Sequence, residues 1–161
     1  KTRAIDAISI LPNLSETVIA KLKEGIANAT IINDVRNLQS EAERLSNSNS
    51  IEQATTTIDT YKELNSVDKD KFKEELNNAK SQDDVEQIQQ VAKALSDARV
   101  TANNAIKAAG DLSEDEKNNF LAQVTSAIDP TAVKVVQDAA AKQNTINQIA
   151  RELKEAKAAT I

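Results

Sequence analysis

The 161 residues carry a net charge of −5, with no cysteine, no histidine, two glycines, two prolines and only three aromatic rings, Tyr61, Phe72 and Phe120. Losing His and Cys together removes the commonest general base, the commonest transition-metal ligand and all disulfide or thiolate chemistry, so no enzyme, catalytic residue, cofactor or metal site is expected. Acids and bases alternate without forming a basic stripe, and no apolar run approaches the ~18 residues of a membrane span, which argues against nucleic acid as a partner and against membrane insertion.

Taken in chain order, apolar residues recur at helical spacing. Ala4, Ile8 and Leu11 stand at i, i+4 and i+7 and predict a first amphipathic helix. The turn PNLS follows, with Ser15 as N-cap of a second helix whose stripe is Leu22, Ile26 and Ala29. A third stripe runs through Val35, Leu38, Ala42 and Leu45. The same order then returns. Ala54, Ile58 and Tyr61 precede the turn ELNS with Ser66 as cap, then Phe72, Leu76 and Ala79, the start signal Ser81 with Asp84, and finally Val85, Ile88, Ala92 and Leu95. It returns once more. Ala102, Ile106 and Ala109 lead into GDLS, where Ser113 and Glu116 form a capping box, then Phe120, Val124 and Ala127, and then Asp129 with Pro130 at the first helical position before Val133, Val136 and Ala140.

Residues 4–35, 54–85 and 102–133 align without gaps at offsets of 50 and 48 residues. A period of that size marks an array of supersecondary units. The expected architecture is all-α: tandem antiparallel three-helix bundles joined by shared continuous helices into an elongated rod, with units at 1–49, 50–97 and 98–145. Residues 146–161, in which Ile149, Leu153 and Ala156 resume the helix-1 pattern, read as an extended helix end or the start of a further unit, so that the chain looks cut from a longer array. Each unit has few rings and a small core, so neighbours are expected to share stability. Residues 83–109 lack Pro and Gly and predict one unbroken helix of about 40 Å across the second joint. The first joint, SNSNS at residues 46–50, consists of weak helix formers and is expected to be softer, unless Ser50 simply caps the next helix.

Adjacent carboxylates such as Asp83 with Asp84 and Glu114 with Asp115 diverge by about 100° on a helix, and Asp68 with Asp70, two residues apart, by about 200°; near N-termini they suit the macrodipole better than a hydrolytic cleft. The three aromatics fall on apolar positions and are assigned to the core. Ile31 and Ile32 replace Ser81 and Gln82, and Ile19 replaces Lys69; all three are read as exposed, a candidate patch for a partner or for the adjacent unit, with local packing the default reading.

The recurring AxxxI, LS, KxxF, apolar, A and V pattern resembles the GA module, a three-helix unit of Gram-positive surface proteins. The variant is similar to the GA-type repeats of giant staphylococcal matrix-binding proteins, which alternate with FIVAR units. That resemblance implies a repeat segment of a bacterial surface adhesin, extracellular and attached to the cell wall, acting as a rod-like stalk and a low-affinity binder of host matrix, fibronectin first. In the family, albumin is held by helix 2, the following loop and the start of helix 3. The resemblance places Asn77, Asn78 and Lys80 of the NNAK segment on that face, and Ile31 and Ile32 fall in the matching stretch of the first copy; with Ile19 they make up the candidate partner-binding face. Lys71, Lys73, Glu74 and Glu75 put charge where an albumin contact calls for apolar groups, so albumin binding ranks second and an intracellular helical scaffold third.

Overall fold

A computed structural model describes residues 1–160. Among these, the elements are seven helices: α1 (Thr2–Ser9), α2 (Glu16–Asn28), α3 (Ile32–Asp59), α4 (Ser66–Asn77), α5 (Gln82–Ala108), α6 (Glu114–Ser126) and α7 (Pro130–Ala159). The chain is all-α, in tandem three-helix repeats. From α2 onward short and long helices alternate, because α3 and α5 each serve two copies, ending one as helix 3 and opening the next as helix 1, while α7 ends the third.

The chain divides into two compact units. The first comprises Lys1–Asp59 with Phe72–Gln89. Its leading part is a bundle in which α1, α2 and the start of α3 all pack on one another. The core there is Ala4, Ile8, Leu22, Ile26, Ala29, Val35 and Ala42, flanked by half-buried Leu11, Leu14 and Leu38. Ala54, Ile58, Phe72, Leu76 and Val85 of the same unit are also buried. Gly25 lets the α2 backbone come close to α3: a β-carbon there would stand 3.1 Å from Leu38 Cδ1. The second unit comprises Thr60–Lys71 and the chain from Gln90 onward. It buries Leu64, Ala92, Leu95, Ala102, Ile106, Leu112, Val124, Ala127, Val133 and Ala140, with α6 packed along α7. The recurring stripes are thus the core, as their spacing requires.

Helix starts follow the capping logic with one correction. Ser15 Oγ accepts from Val18 N, Ser113 and Glu116 form the full capping box, and Asp129 caps α7 ahead of Pro130. Ser81 Oγ accepts from Asp84 N while Asp84 Oδ2 accepts from Ser81 N, a reciprocal cap for α5. For α4, however, the cap is Asn65 and not Ser66: Asn65 Oδ1 accepts from Asp68 N, and Asp68 Oδ2 accepts from Asn65 N. Asn65 is the residue in register with Ser15 and Ser113, so register outweighs residue type.

The first joint corrects a second expectation. α3 runs unbroken through residues 46–50, over 28 residues against 27 for α5. Serine and asparagine weaken helices because they bond to nearby backbone groups in other conformations. Here those bonds are made within or around the helix: Ser50 Oγ donates to Ser46 O at 3.0 Å, and Ser46 Oγ donates to Pro12 O at 2.5 Å. α7 continues in the same manner past Ala140, and its Ile149 and Leu153 are exposed. Among the aromatics Phe72 is buried, but Tyr61 and Phe120 are only half-buried, a partial correction to their placement in the core.

Candidate binding faces and helix clasps

Positions 49, 99 and 147 are equivalent in the repeat register, as are 13, 63 and 111 in the loop between helices 1 and 2. In all three copies the first donates to the carbonyl of the second. Asn49 Nδ2 reaches Asn13 O at 2.7 Å, Arg99 Nη1 reaches Glu63 O at 2.9 Å, and Asn147 Nδ2 reaches Asp111 O at 2.9 Å. The loop carbonyl has no helical partner, so the long helix supplies one. In copies two and three the same side chain also engages the carboxylate at the third helical position of the next helix: Arg99 Nη1 with Asp68 Oδ2 at 2.5 Å, and Asn147 Nδ2 with Glu116 Oε2 at 2.9 Å. Copy one has Val18 there. One turn further on, Asn103 Nδ2 donates to Glu63 Oε2 at 2.7 Å and Arg151 Nε to Asp111 Oδ1 at 2.6 Å. In copy one the loop residue Asn13 takes a left-handed φ of 61°, which asparagine tolerates, and its Nδ2 donates to Ser50 Oγ.

The long helices also hold the end of the following copy's helix 2. Asn47 Nδ2 donates to Ala79 O at 3.3 Å, and Arg99 Nη2 donates to Ala127 O at 2.9 Å. Both acceptors lie just beyond a helix C-terminus, where carbonyls lack intrahelical partners. Arg99 therefore bonds a loop carbonyl, a carboxylate and a helix-end carbonyl at once, and it is 1% exposed. A guanidinium buried that deeply would be costly alone; paired and hydrogen-bonded, it is the side chain whose removal leaves most behind.

Two carboxyls in these caps lie below their ordinary range. Asp84 is lowered chiefly by the Lys80 backbone N–H, then by the Ser81 hydroxyl, and Glu116 chiefly by the Ser113 backbone N–H, then by Asn147. Arg151 is held more firmly protonated by Asp111 and then Glu155. These are structural charges. Among the described residues no three His, Cys, Asp or Glu side chains gather as a metal site. A groove of the first unit, about 340 Å³, is walled by Asn13, Ser50, Gln53, Thr57, Gln82, Glu86 and Gln89. Its amides, hydroxyls and single carboxylate offer hydrogen bonds, and the Ser50 and Thr57 hydroxyls already donate to the helix carbonyls of Ser46 and Gln53.

The residues singled out from sequence lie on equivalent segments of two copies. Ile31 sits between α2 and α3 at 57% exposure, and Ile32 opens α3 at 62%. Ile19, read as exposed, is half-buried in α2. Asn77 ends α4; Asn78 Nδ2 donates to Glu74 O at 2.9 Å, and Lys80 N to Asp84 Oδ2 at 2.9 Å, so Asn78 and the Lys80 backbone serve the turn. Lys73 is not simply outward: it pairs with Asp59 of α3 at 2.6 Å. Arg99, Asn49 and Asn147 escaped notice because an Arg or Asn within a helix reads as solvated. Their shared register was the available signal.

A family description, the GA module, matches the chain three times, over residues 1–48, 48–98 and 95–146. No curated protein matches it.

Proposed function

The chain belongs to the GA module family, a family of binding modules, and from that premise we propose that it is a repeat segment of a bacterial cell-surface adhesin. In this reading it is extracellular and wall-attached, acts as a rod-like stalk, and contacts host matrix, fibronectin first, weakly along its length. Its three modules take residues 1–49, 50–97 and 98–145. The observation that carries the reading is the clasped, unbroken helix at each copy-to-copy joint. A stalk needs joints that resist bending, and repetition multiplies weak contacts through avidity. A Gly-Pro insertion beside Ser96 should shorten the particle in solution scattering, and the intact chain should bind immobilised fibronectin more strongly when it is itself presented as a dense array. An unchanged particle length contradicts the stalk; no density dependence contradicts the matrix contact.

One observation favours albumin as a second reading. Ile31 and Ile32 are exposed on the segment of copy one with which relatives hold albumin, whereas copy two has Ser81 and Gln82 there. Replacing Ile31→Ser together with Ile32→Gln should then abolish capture by immobilised serum albumin. Capture that survives the exchange, or that the unmodified chain never shows, removes this reading.

A further inference from the structure

Copy three departs from the other two at a place that the stalk does not use. Phe120 fills the helix-2 position of Leu22 and Phe72, yet Phe72 is 3% exposed while Phe120 is half-buried. Its ring lines a groove of about 330 Å³ between α6 and α7, together with Asp115, Glu116, Asn119 and Gln143. The internal repeat shows what changed. Gln143 stands where copies one and two have Leu45 and Leu95, Asn119 where they have Lys21 and Lys71, and Asp115 where they have Thr17 and Val67. All three differences act in one direction. A leucine that is buried in copy two becomes an amide whose Nε2 is engaged by Asn147 Oδ1 at 2.9 Å, a positive charge is lost, and a negative charge is gained. Glu116 is kept ionised by the hydrogen bonds it accepts from Ser113 and Asn147.

We propose that this groove recognises one cationic side chain, an arginine or lysine from a basic segment of a partner protein, seated against the Phe120 ring and paired with the Asp115 and Glu116 carboxylates. An aromatic face attracts a cation through its quadrupole, and flanking carboxylates strengthen the attraction where water is partly excluded. Partner choice follows from charge. An apolar side chain would leave the Asp115 carboxylate unanswered, since Ser113 and Asn147 already bond Glu116, and an acidic one would be repelled.

The test titrates acetyl-Gly-Arg-Gly-amide into the intact 161-residue chain, reading the Phe120 ring and Gln143 side-chain amide signals by NMR. Saturable shifts at both groups are expected, weakening as salt rises, with the citrulline counterpart binding about tenfold less tightly. Gln143→Leu, which restores the residue of the other copies, should abolish the shifts. Asn119→Lys, an exposed change that leaves the core untouched, should weaken binding by a similar factor. Equal binding of the citrulline peptide would identify an apolar groove and overturn the proposal. So would an absence of shifts at Phe120, or a Gln143→Leu chain that still binds.

Discussion

The two joints solve one problem with different chemistry. At the first, the work is divided: Asn49 holds the loop of copy one and Asn47 holds the helix end of copy two. At the second, Arg99 alone does both and adds a carboxylate. The spacing explains the division. Ala54 follows Asn49 by five residues, whereas Ala102 follows Arg99 by three. Two extra residues in a continuous helix add about 3 Å and about 200° of rotation, so one side chain at position 49 is not in the same phase with the following copy as Arg99 is. Short neutral amides then replace one long cation. The lesson is that identical cores do not require identical joints, and that a joint can be tuned by a change in length of two residues.

This contrast is broken most severely by Arg99→Ala, which strands the Glu63 and Ala127 carbonyls and the Asp68 carboxylate together. A loss of about 3–5 kcal/mol is expected in denaturant unfolding, against about 1 kcal/mol for Asn49→Ala, whose side chain makes one neutral bond. Asp68→Asn leaves the guanidinium buried without its counter-charge and should cost about 2–3 kcal/mol, with strong coupling to Arg99 in a double-mutant cycle. Ser46→Ala tests the first joint in the same way. It removes the donor to Pro12 O while improving helix propensity, so a net loss of about 1 kcal/mol or less is expected.

Acid should act most gently. Asp84 and Glu116 have lowered folded values, so the unfolded chain binds more protons at acidic pH. The stability they contribute is present above about pH 4.5 and is lost as pH falls through their folded values. Thermal unfolding followed from pH 6 to pH 2 should show this decline, and the Asp84→Asn, Glu116→Gln chain should show a shallower one. An unchanged slope would remove these caps from the account.

Much of this was legible in the sequence because burial selects apolar residues by period. Ile26, Leu76 and Val124 differ in shape, yet all are buried for the same reason. The clasps were hidden because the asparagines at 49 and 147 and the arginine at 99 are chemically unlike, and a polar residue inside a helix is ordinary unless its register is compared. Ser66 misled because a good capping residue stood one place away from the true cap, Asn65. Propensity underrated the first joint because it counts only what a residue does to its own helix, whereas Ser46 and Asn49 bond to a loop more than 30 residues away. Of the predicted binding face, the exposure of Ile31 and Ile32 could be read from their replacement of polar residues. The half-burial of Ile19 could not, because it depends on how α2 is turned against its neighbours.

The central claim is that both joints are folded helix held from both sides, the second more firmly. Amide hydrogen exchange of the intact chain, read residue by residue at 46–50 and 96–100, tests it most directly. Protection is expected at both segments, and it should be longer-lived at 96–100. Exchange at 46–50 as fast as in an exposed coil would contradict the claim.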